Sequence, residues 1–163
     1  MILGMSTQTF TLLHVVISLM GIASGLIVVT AMLRSARLPG LTAIFLITTV
    51  ATSATGFLFH SEAFGPPHAV GVLSLVILAV ALYALYGRGL AGRWRAAYVI
   101  GASLALYLNV FVGVTQAFQK IPSLHELAPQ GNEPPFVVTQ LIVLALFVWL
   151  TVAALKRFHP VSP

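Results

Sequence analysis

The chain is 163 residues long, 59% hydrophobic and only 7% charged, with a net charge of +5 and no cysteine. This balance lies well outside that of soluble globular domains, and apolar runs of roughly 20 residues, each long enough to cross a hydrocarbon core of about 30 Å, recur along it. No stretch is left over for a separate soluble domain, and the lack of thiols excludes disulfide exchange, thiolate metal sites and thiol catalysis.

The opening MILGMSTQTF carries no Lys or Arg ahead of the first apolar run and no clear small-residue cleavage site, so that run reads as a retained span. The first span covers about residues 9–33 and ends at the basic turn RSARLPG, where Pro39 and Gly40 forbid continuation. A second, about 41–60, is rich in hydroxyls: Thr48, Thr49, Thr52, Ser53 and Thr55. After the loop SEAFGPP, whose prolines suit a first helical turn, a third span runs over about 68–86 and stops at GRGLAGR. The fourth covers about 94–118, a polar loop occupies 119–134, and a fifth span covers about 135–155.

Five spans put the termini on opposite sides. Arg34, Arg37, Arg88, Arg93, Arg95, Lys156 and Arg157 then share one side, while Lys120 falls on the other with Glu62, Glu126 and Glu133, all the acids in the chain. The positive-inside rule places the seven in the cytoplasm, with the N-terminus outside and the C-terminus inside. The expected fold is an all-α polytopic membrane bundle of five transmembrane helices, one domain over 1–163, in contact with the lipid bilayer. Its basic excess then belongs to topology and lipid headgroups, and nucleic acid is not a partner.

His14, Ser18, Gly21 and Gly25 follow one another at steps of four, three and four, and so share a helix face; Gly21 and Gly25 form a GxxxG. Gly101, Ala105, Asn109 and Gly113 recur at steps of four in the fourth span, and Gln116 and Lys120 continue the line. Both stripes read as helix-packing seams, within the chain or toward a membrane-protein partner or second copy.

Polar residues gather in the outer half. His14 sits about five residues, roughly 7 Å, into its span. His60 closes the second span, His68 opens the third, and His125 lies in the long loop. Gln116 and Gln140 are expected at similar depth, with Asn109 nearer the middle. Imidazole is a common ligand of zinc, copper and haem iron. His14 and His68, from different helices, would suit axial haem ligation or two corners of a divalent metal site, with His60, His125, Glu62 or Glu126 completing it. Alternatively, His14, His68, Asn109, Gln116 and Gln140 would hydrogen-bond a quinone, with Phe111, Phe118 and Phe136 as walls. A plain packing role explains a single buried His equally well, and no paired spacing such as HxxxH is present.

Several chemistries are absent from the sequence. There is no GxGxxG or P-loop, no Asp for a Ser–His–Asp set, and no Lys or acid at the centre of any span, which disfavours a Schiff base or proton-coupled transport. No enzyme class is assigned by any residue set.

The segments TSATGF (52–57), PPHAVGVLSL (66–75), LYLNVFV (106–112) and HELAPQGNEPPF (125–136) resemble a group of small polytopic inner-membrane proteins of proteobacteria. The resemblance runs over most of the chain. It implies a fold and a bacterial inner-membrane location, and it carries no activity. Three functional expectations follow: a small redox or metal module with a site for haem, a metal ion or quinone in the outer half; a non-catalytic accessory or assembly subunit; and a small-solute carrier or channel.

Overall fold

The computed structural model describes residues 2–59 and 64–160. Five long helices and one short one make up the described chain: α1 (Thr7–Met32), α2 (Pro39–Gly56), α3 (Pro66–Leu82), α4 (Arg93–Lys120), α5 (Pro122–His125) and α6 (Pro134–Arg157). The last turn of α3 widens into a π-helical turn, Tyr83–Gly87. All but α5 are long and apolar enough to cross a bilayer. The bundle is all-α, as the sequence implies.

Proline sets most helix starts. Pro39, Pro66, Pro122 and Pro134 each open a helix, where the missing N–H would have no intrahelical partner anyway. Proline also explains where α4 stops: Ile121 is forced extended by Pro122, which follows it. α1 is capped by the Ser6 hydroxyl, which accepts from the Thr9 amide at 3.1 Å. Two boundaries differ from the sequence reading. α2 ends at Gly56, short of position 60, and the polar loop contains α5.

α4 is the hub. It touches α1, α2, α3 and α6, whereas α1 and α3 share no contact, nor do α3 and α6. It is the most enclosed of the five spans. Between hydrocarbon-solvated helices there is no hydrophobic gain from leaving lipid, so contact depends on close van der Waals fit at small residues. Ala102, Ala105 and Leu106 of α4 are completely buried, against Val29 of α1, Phe45 of α2 and Ala81 of α3. A Cβ on Gly25 would lie 2.7 Å from Leu106 Cδ1 and 2.8 Å from the Phe45 ring, and one on Gly101 would lie 3.1 Å from Ala81 Cβ. Both glycine seams are therefore filled from within the chain.

Helix direction alternates, so one end of the bundle carries the seven basic residues and the other carries Lys120, Glu126 and Glu133. At the basic end Arg95 donates to the carbonyls of Leu155 (3.0 Å) and Phe158 (2.8 Å), satisfying the C-terminus of α6. Arg88 lies over the Trp94 ring, which meets Tyr83 edge-on. Ser35 (φ 57°) and Leu90 (φ 63°) are left-handed without being glycine, and each costs on the order of 1–2 kcal/mol that the surrounding contacts must offset.

Gly25→Ala is expected to overpack the α1–α2–α4 junction and cost about 1–3 kcal/mol. Gly40→Ala, where a Cβ meets nothing within 4 Å, is expected to be neutral. Thermal unfolding of the two variants in detergent, followed by tryptophan fluorescence, checks the contrast.

Candidate functional site

Polar side chains line the α1–α2–α4 junction from its middle toward the acidic end. His14 lies two turns into α1, half-buried, and its Nδ1 is 2.8 Å from Thr55 Oγ1 of α2. The Thr55 hydroxyl directs its one proton at the Ala51 carbonyl, 2.7 Å away, as hydroxyls do on helices without water. With that proton committed, Thr55 accepts from His14 Nδ1–H, and the lone pair of the imidazole is on Nε2. The Phe59 ring meets His14 edge-on at 5.1 Å and Phe10 at 5.2 Å, so the imidazole is held from two sides.

Two turns deeper, α1 has no side chain at Gly21. Around the point where a Cβ would sit are Thr48 Oγ1 and Thr49 Oγ1, each at 3.1 Å, and Asn109 Nδ2 at 3.2 Å. Thr48 donates to the Ile44 carbonyl and Thr49 to the Phe45 carbonyl, both at 2.7 Å, so both hydroxyl oxygens are left as acceptors. Asn109 is only 9% exposed, and its Nδ2 has no hydrogen-bond partner. Thr52 Oγ1 of the same α2 face is also buried without one. An unmatched buried donor costs roughly 1–3 kcal/mol. Thr48, Thr52 and Thr55, at steps of four and three, form one stripe of α2. That spacing was the available signal for the partner of His14 and the neighbours of Asn109.

The other candidate residues are dispersed. His68 caps α3: its Nδ1 accepts from the Gly65 amide at 3.2 Å, which engages the lone pair of the neutral ring, and it stacks on Phe64 and leans on Phe57. α2 stands between His14 and His68. Gln140, 8% exposed, donates from Nε2 to the Phe111 carbonyl (3.1 Å) and Thr115 Oγ1 (3.2 Å), while its Oε1 is unpartnered. Position 111 is about 200° around α4 from position 109, so Gln140 and Asn109 lie on opposite sides of that helix. The expected walls Phe118 and Phe136 meet each other edge-on at 5.4 Å, on the α6 side. Gln116 is exposed and reaches Gln119 at 3.5 Å. His125 and Glu126 are exposed on and after α5. His60 and Glu62 lie outside the described residues. Among the described residues, no three His, Asp or Glu side chains gather as a metal set.

Glu133, before α6, organises the polar loop instead. Its carboxylate accepts from the Gln130 amide at 3.0 Å and the Asn132 amide at 3.1 Å across a turn that needs the left-handed Gly131. These amides, that of Gln130 foremost, hold its carboxyl below the usual glutamate range.

Against protein-family models, curated proteins and solved structures, the chain has no match.

The Glu133 carboxyl titrates lower in the folded loop than in the unfolded chain. Its contribution is therefore present at neutral pH and is lost as pH falls through the lowered value. The backbone amide signals of Gln130 and Asn132 are expected to move together below the ordinary glutamate value of about 4.3. In Glu133→Gln they are expected to start displaced and not to titrate with this group; NMR in detergent micelles reads both.

Proposed function

We propose that this chain is an integral protein of a bacterial inner membrane, basic end in the cytoplasm, that holds a quinone-class ligand in the acidic-end half of the α1–α2–α4 seam. The observation that carries this reading is Asn109. An amide donor that is nine-tenths buried and unpartnered is satisfied by a carbonyl oxygen, the group a quinone presents. Thr48 and Thr49 supply acceptors beside it for a hydroxyl form. His14, about 10 Å away along α1, adds an imidazole whose Nε2 lone pair accepts a hydrogen bond or a proton.

A bound quinone would supply reversible two-electron, two-proton chemistry. The chain's own part is to orient the ligand through Asn109 and the threonines, keep water out with the closed α1–α4 contact, and hold a proton acceptor at His14. Haem or a divalent metal would also use His14 Nε2, but the ligand beside it in this reading, His68, stands across α2 with its lone pair engaged in the α3 cap. An accessory subunit would dock through glycine seams that α2, α3 and α4 already fill. A carrier or channel would need a line of free hydroxyls, and those of Thr48, Thr49 and Thr55 bond their own backbone.

Titration of a short-chain benzoquinone into the detergent-solubilised protein is expected to shift the Asn109 side-chain amide saturably. Asn109→Leu keeps the volume and removes the donor; it is expected to weaken binding by about tenfold or more without lowering the unfolding temperature. Absence of a saturable shift in the wild type would sink the reading. A Soret band or stoichiometric metal, lost in the His14→Ala, His68→Ala double variant, would replace it with the haem or metal alternative.

Orientation has its own check. Cytoplasmic reporters fused within 34–40 and 87–92 are expected to be active, and a periplasmic signal from either position contradicts the proposed sidedness.

A further inference from the structure

The basic end contains a small cavity that belongs to neither the polar seam nor the glycine contacts. Val28, Met32, Leu85 and Leu90 give it apolar walls, Thr42 and Tyr98 contribute the polar side chains of its interior, and Arg37 stands at its rim. At about 50 Å³ it has room for a few waters or one small group.

Its frame is built from the irregular parts of the chain. The π-turn Tyr83–Gly87 and left-handed Leu90, itself only 8% exposed, form one wall. The turn after α1, where left-handed Ser35 accepts from the His159 amide at 2.8 Å, forms the rim. Phe158, 2% exposed and held through its carbonyl by Arg95, closes the side toward the chain's end. π-turns and left-handed non-glycine residues tend to occur where a site is shaped. Here both converge on one cavity.

Charge identifies the occupant. This end has Arg34, Arg37, Arg88, Arg93, Arg95, Lys156 and Arg157, while the acids among the described residues, Glu126 and Glu133, sit at the other end of the bundle. Arg95 is engaged with carbonyls of α6 and Arg88 lies over Trp94. Arg37 is exposed at the mouth of a cavity that is otherwise apolar and hydroxyl-bearing. A cation at the rim, with hydroxyls among buried apolar side chains inside, matches a phosphodiester headgroup whose hydrocarbon chain stays in the bilayer outside the cavity.

We propose that this cavity is a specific site for one anionic phospholipid, its phosphate on Arg37 and its glycerol end directed toward Thr42 and Tyr98. The proposal is independent of the quinone reading and concerns the opposite end of the bundle.

Native mass spectrometry of the detergent-solubilised chain, offered phosphatidylglycerol, phosphatidylcholine or inorganic phosphate, tests it. One phosphatidylglycerol per chain is expected, retained about tenfold better than phosphatidylcholine. Arg37→Gln is expected to remove that preference, whereas Arg157→Gln, an equal loss of charge away from the cavity, is expected to change it less than about twofold. Ala36→Phe, filling the cavity from its rim, is expected to abolish retention while the unfolding temperature holds. Equal effects of Arg37→Gln and Arg157→Gln would overturn the proposal in favour of general surface attraction. Stoichiometric inorganic phosphate that displaces the lipid would overturn it in favour of a free anion.

Discussion

Apolar helices in a bilayer gain little by exchanging lipid for one another, and the bundle depends on the few places where backbones come close enough for dense packing. Gly25 is the tightest of these. The Phe45 ring and Leu106 side chain both enter the space a Cβ would take, which locks α1, α2 and α4 at one level. Gly21, one turn away, allows the same approach, but polar atoms meet it there. The polar junction is therefore a by-product of the packing junction: once Gly25 fixes the three helices, Thr48, Thr49 and Asn109 have nowhere else to point.

The same constraint shows why one sequence stripe stayed on a face and the other did not. His14, Ser18, Gly21 and Gly25 advance by four, three and four, close to the 3.6-residue turn, and they keep meeting α2 and α4. Gly101, Ala105, Asn109 and Gly113 advance by four each time, and every step turns the stripe by about 40°. Gly101 therefore faces Ala81 of α3, while Asn109 faces Gly21 and Gly113 faces Ile22 of α1. Gln116, only three residues on, turns back by about 60° toward the Asn109 side and is exposed near the end of the helix. A single seam in the sequence becomes, in space, the means by which α4 holds two neighbours.

The five spans were legible because length, hydropathy and the sorting of Arg and Lys all require the same count. The start of α3 was legible from its prolines, whereas Pro39 read as the end of the first span and Pro122 fell within the loop. Which polar residues would meet was not. His14 and His68 sit at similar depth, but depth says nothing about the order of helices around α4, and α2 lies between them. Gln140 and Asn109 point to opposite sides of α4 because of two residues' difference in the register of its partners. Tyr83–Gly87 reads as ordinary helix in sequence. Its π form follows from the Arg88 amide reaching back to the Tyr83 carbonyl at 2.9 Å and the Leu90 amide to that of Ala84 at 3.0 Å, contacts that no local propensity encodes.

The two ends of the bundle carry their irregularity in different forms. Toward the acidic end the helices themselves are regular and their side chains are unsatisfied: Asn109 and Thr52 lie in well-formed helices with donors or acceptors unused. At the basic end, the irregularity is in the backbone, at the π-turn, Ser35 and Leu90, while Arg95 and Ser35 satisfy the chain's turns and terminus. An orphan donor inside a regular helix can be relieved only by a group that comes to it, because the helix cannot move the side chain to water. A strained turn can relax by itself unless neighbours hold it, and here the α6 terminus does so through Phe158 and His159. Occupancy at the acidic end therefore requires α1 to give way at Gly21, where atoms already lie 3.1–3.2 Å from the point a Cβ would take, whereas at the basic end it would act on a backbone that is already irregular.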